Sequence, residues 1–92
     1  MLMIQNIPIR LAVILEGQML SHDFEIECPE DAQVVDFQNI VKNALAANYP
    51  AYKDIEVGGF RCGMADFEPG DVIKDFHPRA ADRIYGIASA HL

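Results

Sequence analysis

The side chains able to do covalent chemistry are two cysteines, Cys28 and Cys62, and three histidines, His22, His77 and His91. Nucleophilic catalysis requires a thiol or hydroxyl held against a base. No local motif sets either cysteine beside a histidine, so they read as packing thiols and surface imidazoles. A zinc site fails on spacing, because there is no Cys-x-x-Cys and no histidine pair at helical or hairpin separation. The segment Asp66-Phe67-Glu68-Pro69-Gly70-Asp71 gathers carboxylates around a glycine. It lacks the ligand order and terminal glutamate of a calcium loop, and Pro69 breaks the register, so it reads as a solvated turn. Gly58-Gly59 and Gly63 are spaced wrongly to cradle phosphate. These residues predict no catalysis, no metal and no cofactor.

The carboxylates are placed less evenly. Between Arg10 and Lys42 lie seven acids, Glu16, Asp23, Glu25, Glu27, Glu30, Asp31 and Asp36, and no base. The rest of the chain holds seven acids and seven bases, so the net charge of −7 belongs to this stretch. Asp23, Glu25 and Glu27 alternate, and alternate strand residues are about 6.6 Å apart. Successive phosphates along a nucleic-acid strand have broadly similar spacing, against an axial rise of ~3.4 Å per nucleotide. Such a carboxylate row is suited to a lysine- and arginine-lined groove. The plainer reading is a solvated face, with Glu30 and Asp31 complementing a helix N-terminus.

The elements that must position these residues follow from periodicity. Ile7, Ile9, Leu11, Val13 and Leu15 alternate on one face of a strand. Ala12 and Ile14 on the other face predict partial cover on both sides. Gly17-Gln18 predicts the start of a hairpin connection. Phe24, Ile26 and Cys28 then face one way over residues 22–28, with Asp23, Glu25 and Glu27 facing the other. After Pro29-Glu30-Asp31, the series Val34, Phe37, Val41, Ala44, Leu45 and Asn48 predicts an amphipathic helix of about four turns. Asn48-Tyr49-Pro50 ends it. A short strand over Asp54–Val57 meets a turn or bulge at Gly58-Gly59, and Phe60, Cys62 and Met64 continue on one face. Glu68-Pro69-Gly70-Asp71 is a turn in composition, Val72-Ile73 a brief apolar step, and His77-Pro78 closes the loop. Arg83–Ala90, rich in small residues, predicts a closely packed central strand.

The chain has 92 residues, half of them apolar and 23% charged, which predicts one globular α+β domain over 1–92. Its acidity argues against direct contact with a nucleic-acid backbone or an anionic membrane. No aliphatic run approaches the roughly 18–20 residues of a membrane span. The interrupted apolar start Met1-Leu2-Met3-Ile4 lacks a signal-peptide pattern, so the expectation is a cytoplasmic protein in which Cys28 and Cys62 remain thiols.

The passage Ile26-Glu27-Cys28-Pro29-Glu30-Asp31 into Val34, Phe37 and Val41 resembles the β-grasp, or ubiquitin-like, architecture. That likeness implies strand-strand-helix-strand-strand order, with one four-turn helix packed on a mixed sheet. With Pro50-Ala51-Tyr52 after the helix, the chain also resembles the N-terminal ubiquitin-like region of lambda I-type phage tail assembly proteins. Carrier or conjugation chemistry does not follow: Gly58-Gly59 is internal, and the sequence ends Ala90-His91-Leu92.

The leading expectation is a small acidic, non-enzymatic protein-binding module. Its acidic face (Glu16, Asp23, Glu25, Glu27, Glu30, Asp31, Asp36) would mimic nucleic acid and block a basic protein site, such as that of a nucleic-acid-binding complex. This is similar in style to anti-CRISPR inhibitors of phages and mobile elements. A structural or assembly component of a phage particle is the alternative; it predicts apolar contact through Met1–Ile4, Met19-Leu20 or the terminal strand. A ubiquitin-like accessory subunit of a larger enzyme is the third.

Overall fold

In the computed structural model, which describes residues 4–29, 31–62, 65–68, 70–72 and 83–92, the first alternating segment is strand β1 (Ile4–Leu15). It pairs antiparallel with β2 (Gln18–Pro29) over its whole length, from Ile4↔Pro29 to Leu15↔Gln18. The connection is the two-residue turn Glu16-Gly17, with φ of 50° and 81°. Two positive φ values in a two-residue loop match the right-handed strand twist, and the glycine takes its share without strain. The turn thus falls one residue before the expected Gly17-Gln18, and β2 starts four residues earlier than predicted.

Helix α1 (Val34–Asn48) ends where Tyr49-Pro50 required. It starts at Val34, where its apolar series begins, but the acid in its first turn is not one of those expected. Asp31 belongs to a turn in which the Ala32 amide donates to the Pro29 carbonyl at 3.1 Å. Gln33 is the N-cap residue, and the Asp36 carboxylate accepts its amide at 3.4 Å. Asp36 is therefore the acid in the first turn, where the dipole favours it. Glu30 lies outside the described residues, as do Met64, Ile73 and His77-Pro78.

The expected short strand and its continuation are one element, β3 (Lys53–Cys62), whose register shifts between Val57 and Phe60. That bulge uses the glycine pair. The Gly58 carbonyl accepts a 2.8 Å hydrogen bond from Gln38 Nε2 of α1, so the disturbed ladder leaves it satisfied. A two-residue β4 (Ala65–Asp66) follows, which the sequence had not suggested. In the expected turn after it, the Asp71 amide donates to the Glu68 carbonyl and the Asp71 carboxylate accepts the Glu68 amide. The last strand is β5 (Ile84–His91), one residue later at each end than the Arg83–Ala90 reading.

The strands form one mixed sheet in the order β2-β1-β5-β3-β4. Among the described residues only β1 and β5 run parallel. Strand-strand-helix-strand-strand order, with one helix on a mixed open sheet of four long strands, is the α+β class the sequence implied. The arrangement is compatible with a β-grasp-like fold. Strand β5 is central, as its small residues predict. A Cβ on Gly86 would stand 2.7 Å from the Phe60 ring and 3.1 Å from Leu11 Cδ1, so the glycine seats Phe60. Phe60 in turn stacks on Phe37 of α1 with ring centroids 5.0 Å apart. Ile7, Ile9, Leu11, Val13, Ile26, Cys28, Val41, Leu45 and Ile84 close the core around that pair.

The two faces of β1 differ in how far they are covered. Ile7, Ile9, Leu11, Val13 and Leu15 are buried on the helix side, whereas on the opposite face Ala12 is half-buried and Ile14 is 40% exposed. Among the described residues the sheet has one face covered by the helix and one face, the open face, on which no helix lies.

Candidate functional site

Directly opposed residues in neighbouring strands project to the same face, so the register assembles the open face in rows. One row crosses all five strands: Asp23, Arg10, Tyr85, Arg61 and Asp66. Arg10 donates through Nε and Nη2 to the two carboxylate oxygens of Asp23, at 2.9 and 3.3 Å. Arg83 Nη1 approaches the same carboxylate at 3.1 Å. At the far end Arg61 Nε donates to Asp66 Oδ1 at 2.9 Å. The hydrogen bonds from Arg10 hold the Asp23 carboxyl below the usual carboxylate range, and Asp23 raises Arg10 in return. All these groups are solvent-exposed, so the ladder is screened and sets geometry more than stability.

Beside that row runs an apolar stripe. Ile14 opposes Met19 across β1 and β2, and Ala12 opposes Ile87 across β1 and β5. Ile14, Met19, Tyr85 and Ile87 are all exposed. Two shallow hollows flank Ile87. One of about 270 Å³ is bounded by Ile14, Glu56, Val57, Gly58 and Ser89. The other, of about 510 Å³, is bounded by Phe60, Arg61, Asp66, Phe67 and Tyr85. A Cβ on Gly58 would come within 2.9 Å of Ile87 Cγ2, so the bulge glycine lets Ile87 lie flat against β3.

The described acids that the sequence singled out stand on several elements. Asp23, Glu25 and Glu27 stand on the open face of β2 as expected, with cross-strand neighbours Arg10, Pro8 and Asn6 respectively. Asp23 is therefore compensated, whereas no base among the described residues pairs with Glu25 or Glu27. These two lie where β1 has β2 for a neighbour and β5 has not yet joined, since the β1–β5 ladder begins at Ile9↔Ile84. Glu16 is at the hairpin turn at the other end of β2. Its carboxylate accepts the Leu92 amide at 3.1 Å and lies 3.6 Å from His91 Nδ1. Asp31 and Asp36 belong to the approach to the helix and its first turn, and Glu30 lies outside the described residues. The acidic stretch is continuous in sequence and divided in space.

The candidate nucleophiles are also accounted for. Cys28 is a free thiol buried in the core, and burial alone pushes its pKa up. A thiol in that state is a poor nucleophile. Cys62 is half-buried against the same core. His22 is not the surface imidazole expected. It is half-buried on the helix side of β2, 4.3 Å from the Tyr49 ring by centroids, with Nε2 and the Tyr52 hydroxyl 3.1 Å apart. Tyr49 and Tyr52 stack at 5.0 Å, and Phe24 meets Tyr49 edge-on at 6.3 Å. Among the described residues no group of three His, Cys, Asp or Glu side chains is placed to hold a metal ion.

Sequence reasoning missed the cross-strand ladder and the apolar stripe. Their signal was present: Arg10, Ala12 and Ile14 are the off-core positions of β1, and Tyr85, Ile87 and Ser89 those of β5. What it lacked was the register that sets Tyr85 between Arg10 and Arg61.

Fold and site together define a small α+β domain with a one-sided sheet, compatible with a β-grasp-like arrangement. Compared with models of protein families and with curated proteins, the chain matches none. Among the described residues no helix is long and apolar enough to cross a membrane.

Proposed function

We propose that this chain is a non-enzymatic protein-binding module whose contact surface is the open face of its sheet. The observation that carries the proposal is the row of large apolar side chains, Ile14, Met19, Tyr85 and Ile87, left in water beside a ladder of ion pairs. Burying an aliphatic side chain of this size is worth about 1.5–3 kcal/mol relative to full exposure. Contiguous exposed apolar surface rimmed by polar groups is characteristic of a binding face. Glu25 and Glu27 at one side of the face add selectivity for a partner with basic groups there. Asp23 adds little to that selectivity, because Arg10 and Arg83 already occupy it. Mimicry of a phosphate row thus rests on two carboxylates rather than three.

The test is capture from an extract of the source organism on the immobilised chain, with Ile87→Asp and the Glu25→Lys/Glu27→Lys pair run alongside. Ile87→Asp should abolish retention of a partner while leaving the circular-dichroism melt close to that of the parent chain. Undiminished retention by a folded Ile87→Asp protein would sink the proposal.

Assembly of copies of this chain is the second reading. It is favoured by the exposure of Ile4, Met19, Leu20 and Leu92, at or beside the segments that reading predicts. Sedimentation velocity over a concentration series separates the two, since only self-assembly makes the mass rise with concentration. An accessory-subunit role would instead appear as co-purification with a catalytic subunit.

A further inference from the structure

Strand β2 is the end strand of the sheet, twelve residues long, and no described residue pairs with its outer side. Each strand edge presents backbone N–H and C=O groups at alternate residues, and a long unpaired edge is a template for another strand. Natural edges are usually blunted by charge. Here that charge is of one sign and on one face only, with Glu25 and Glu27 exposed and paired with no base among the described residues. On the helix side of the same strand, the half-buried rings of His22 and Phe24 meet Tyr49 and Tyr52 and form an aromatic shelf at the edge.

We infer that the outer edge of β2 accepts an extended segment of a partner protein as an added strand. The segment would be basic at alternate residues, and its intervening apolar side chains would rest on the aromatic shelf. Strand addition supplies affinity through main-chain hydrogen bonds and specificity through alternate side chains. The two faces of β2 differ in the way that alternation requires: carboxylates at Glu25 and Glu27, rings at His22 and Phe24. A second copy of this chain is the wrong occupant. Two β2 strands paired antiparallel about a two-fold axis at residue 25 would set Glu25 against its counterpart and Asp23 against Glu27. Like charges directly opposed destabilise a strand pair. The inference rests on the protein-binding reading but uses the sheet's edge rather than its open face.

The probe is a short synthetic peptide of alternating lysine and valine, titrated into the full chain labelled for amide NMR. Expected are shifts at the amides of residues 22–28, with an affinity at least about tenfold above that of a peptide in which proline replaces valine. That control keeps the charge but removes the amide donor at every second residue and disfavours pairing as a strand. A glutamate–valine peptide should not bind. Glu25→Gln/Glu27→Gln and Glu25→Lys/Glu27→Lys should weaken the lysine–valine peptide progressively, each with an unchanged circular-dichroism spectrum. Equal binding of the proline peptide would reduce the effect to bulk charge and overturn the inference. So would equal binding by the glutamate–valine peptide, or no shift at all. Shifts confined to Ile14, Tyr85 and Ile87 would overturn the edge inference while leaving the open-face reading intact. Loss of capture by Ile87→Asp decides that reading separately.

Discussion

The two faces of one sheet are built from the same strands, often from adjacent residues, and differ in nearly everything else. On the helix side, Ile84 is fully buried and Phe37 and Phe60 stack over a glycine that admits no Cβ. Three residues along β5, Ile87 is 43% exposed and has Ala12 and the bulge glycines for neighbours. One face is fixed by exclusion of water and close packing. The other is held by hydrogen-bonded ion pairs between exposed groups, which cost little to break. The contrast teaches that the stability of this domain and its capacity to bind are carried by opposite sides of the same backbone, and so are separable by substitution.

The largest test of that separation sets Ile84→Asp against Ile87→Asp. An aspartate at 84 places an unpaired charge in the core, which should cost more than about 4 kcal/mol and leave the chain unfolded. The same side chain at 87 meets solvent and should shift stability by no more than about 1 kcal/mol. Urea titrations followed by circular dichroism read both. Similar losses at the two positions would mean that the open face is covered by something that makes it a second core.

A smaller effect is expected at the glycines. Gly86→Ala forces a methyl against Phe60 and Leu11, and overpacking of this kind costs about 1–3 kcal/mol. Gly59→Ala meets nothing within 4 Å and has no positive φ. It should be neutral or stabilise by up to about 1 kcal/mol through the unfolded chain. Equal effects at the two sites would show that Phe60 can move aside without loss, contrary to a tightly packed covered face.

How much of this was legible in the sequence divides along the same line. Period-two alternation in β1 and β2 and the three-to-four spacing in α1 marked the buried residues, because water exclusion imposes a period on the chain itself. Proline after Tyr49 fixed the helix end through a local steric clash. What sequence could not supply was any property that depends on register. Ala12 and Ile14 are apolar whether the face they occupy is covered or bare, so they do not tell the helix-covered face from the one on which no described helix lies. The compensation of Asp23 by Arg10 needs the pairing Arg10↔Asp23 across the hairpin, and that of Arg83 a fold that returns β5 beside β1. A run of acids with no base between them therefore looked like one surface. Its described members lie at the hairpin turn, along an edge strand, before the helix and in the helix's first turn. Asp36 is the acid in the first turn, because the helix starts at Val34 and Asp31 precedes its cap, Gln33, by two residues.

Chemical protection sharpens the comparison further. Burial on the covered side raises the Cys28 pKa, so its thiolate is scarce in the folded state. Alkylation of Cys28 in the native protein should proceed only as fast as the chain opens and accelerate sharply in urea. Peptide-resolved mass spectrometry after timed alkylation measures this. Modification of Cys28 at the rate of an unfolded thiol, with the circular-dichroism signal intact, would contradict its place in the core.

The smallest effect is expected from the ion pairs of the open face, and pH exposes it better than denaturant does. Hydrogen bonds from Arg10 lower the folded-state pKa of Asp23, assisted by the positive charges of Arg10 and Arg83. A carboxyl whose folded pKa is below its unfolded value of about 3.9 contributes its full share of stability above that pH. The share is lost as pH falls through the folded value, because the native state must then take up a proton it resists. Asp23→Asn should therefore leave the urea midpoint at pH 7 nearly unchanged, given the exposure of all three partners. Below pH about 4 it should flatten the acid limb of the stability curve relative to the parent chain. Salt should narrow the difference, since exposed charges are screened within about 10 Å at 0.1 M. An Asp23→Asn protein with the parent's acid limb would mean that Arg10 and Arg83 orient Asp23 without stabilising its charge. A large loss at pH 7 would mean that the open face shares in holding the fold, and the division between the two faces would have to be redrawn.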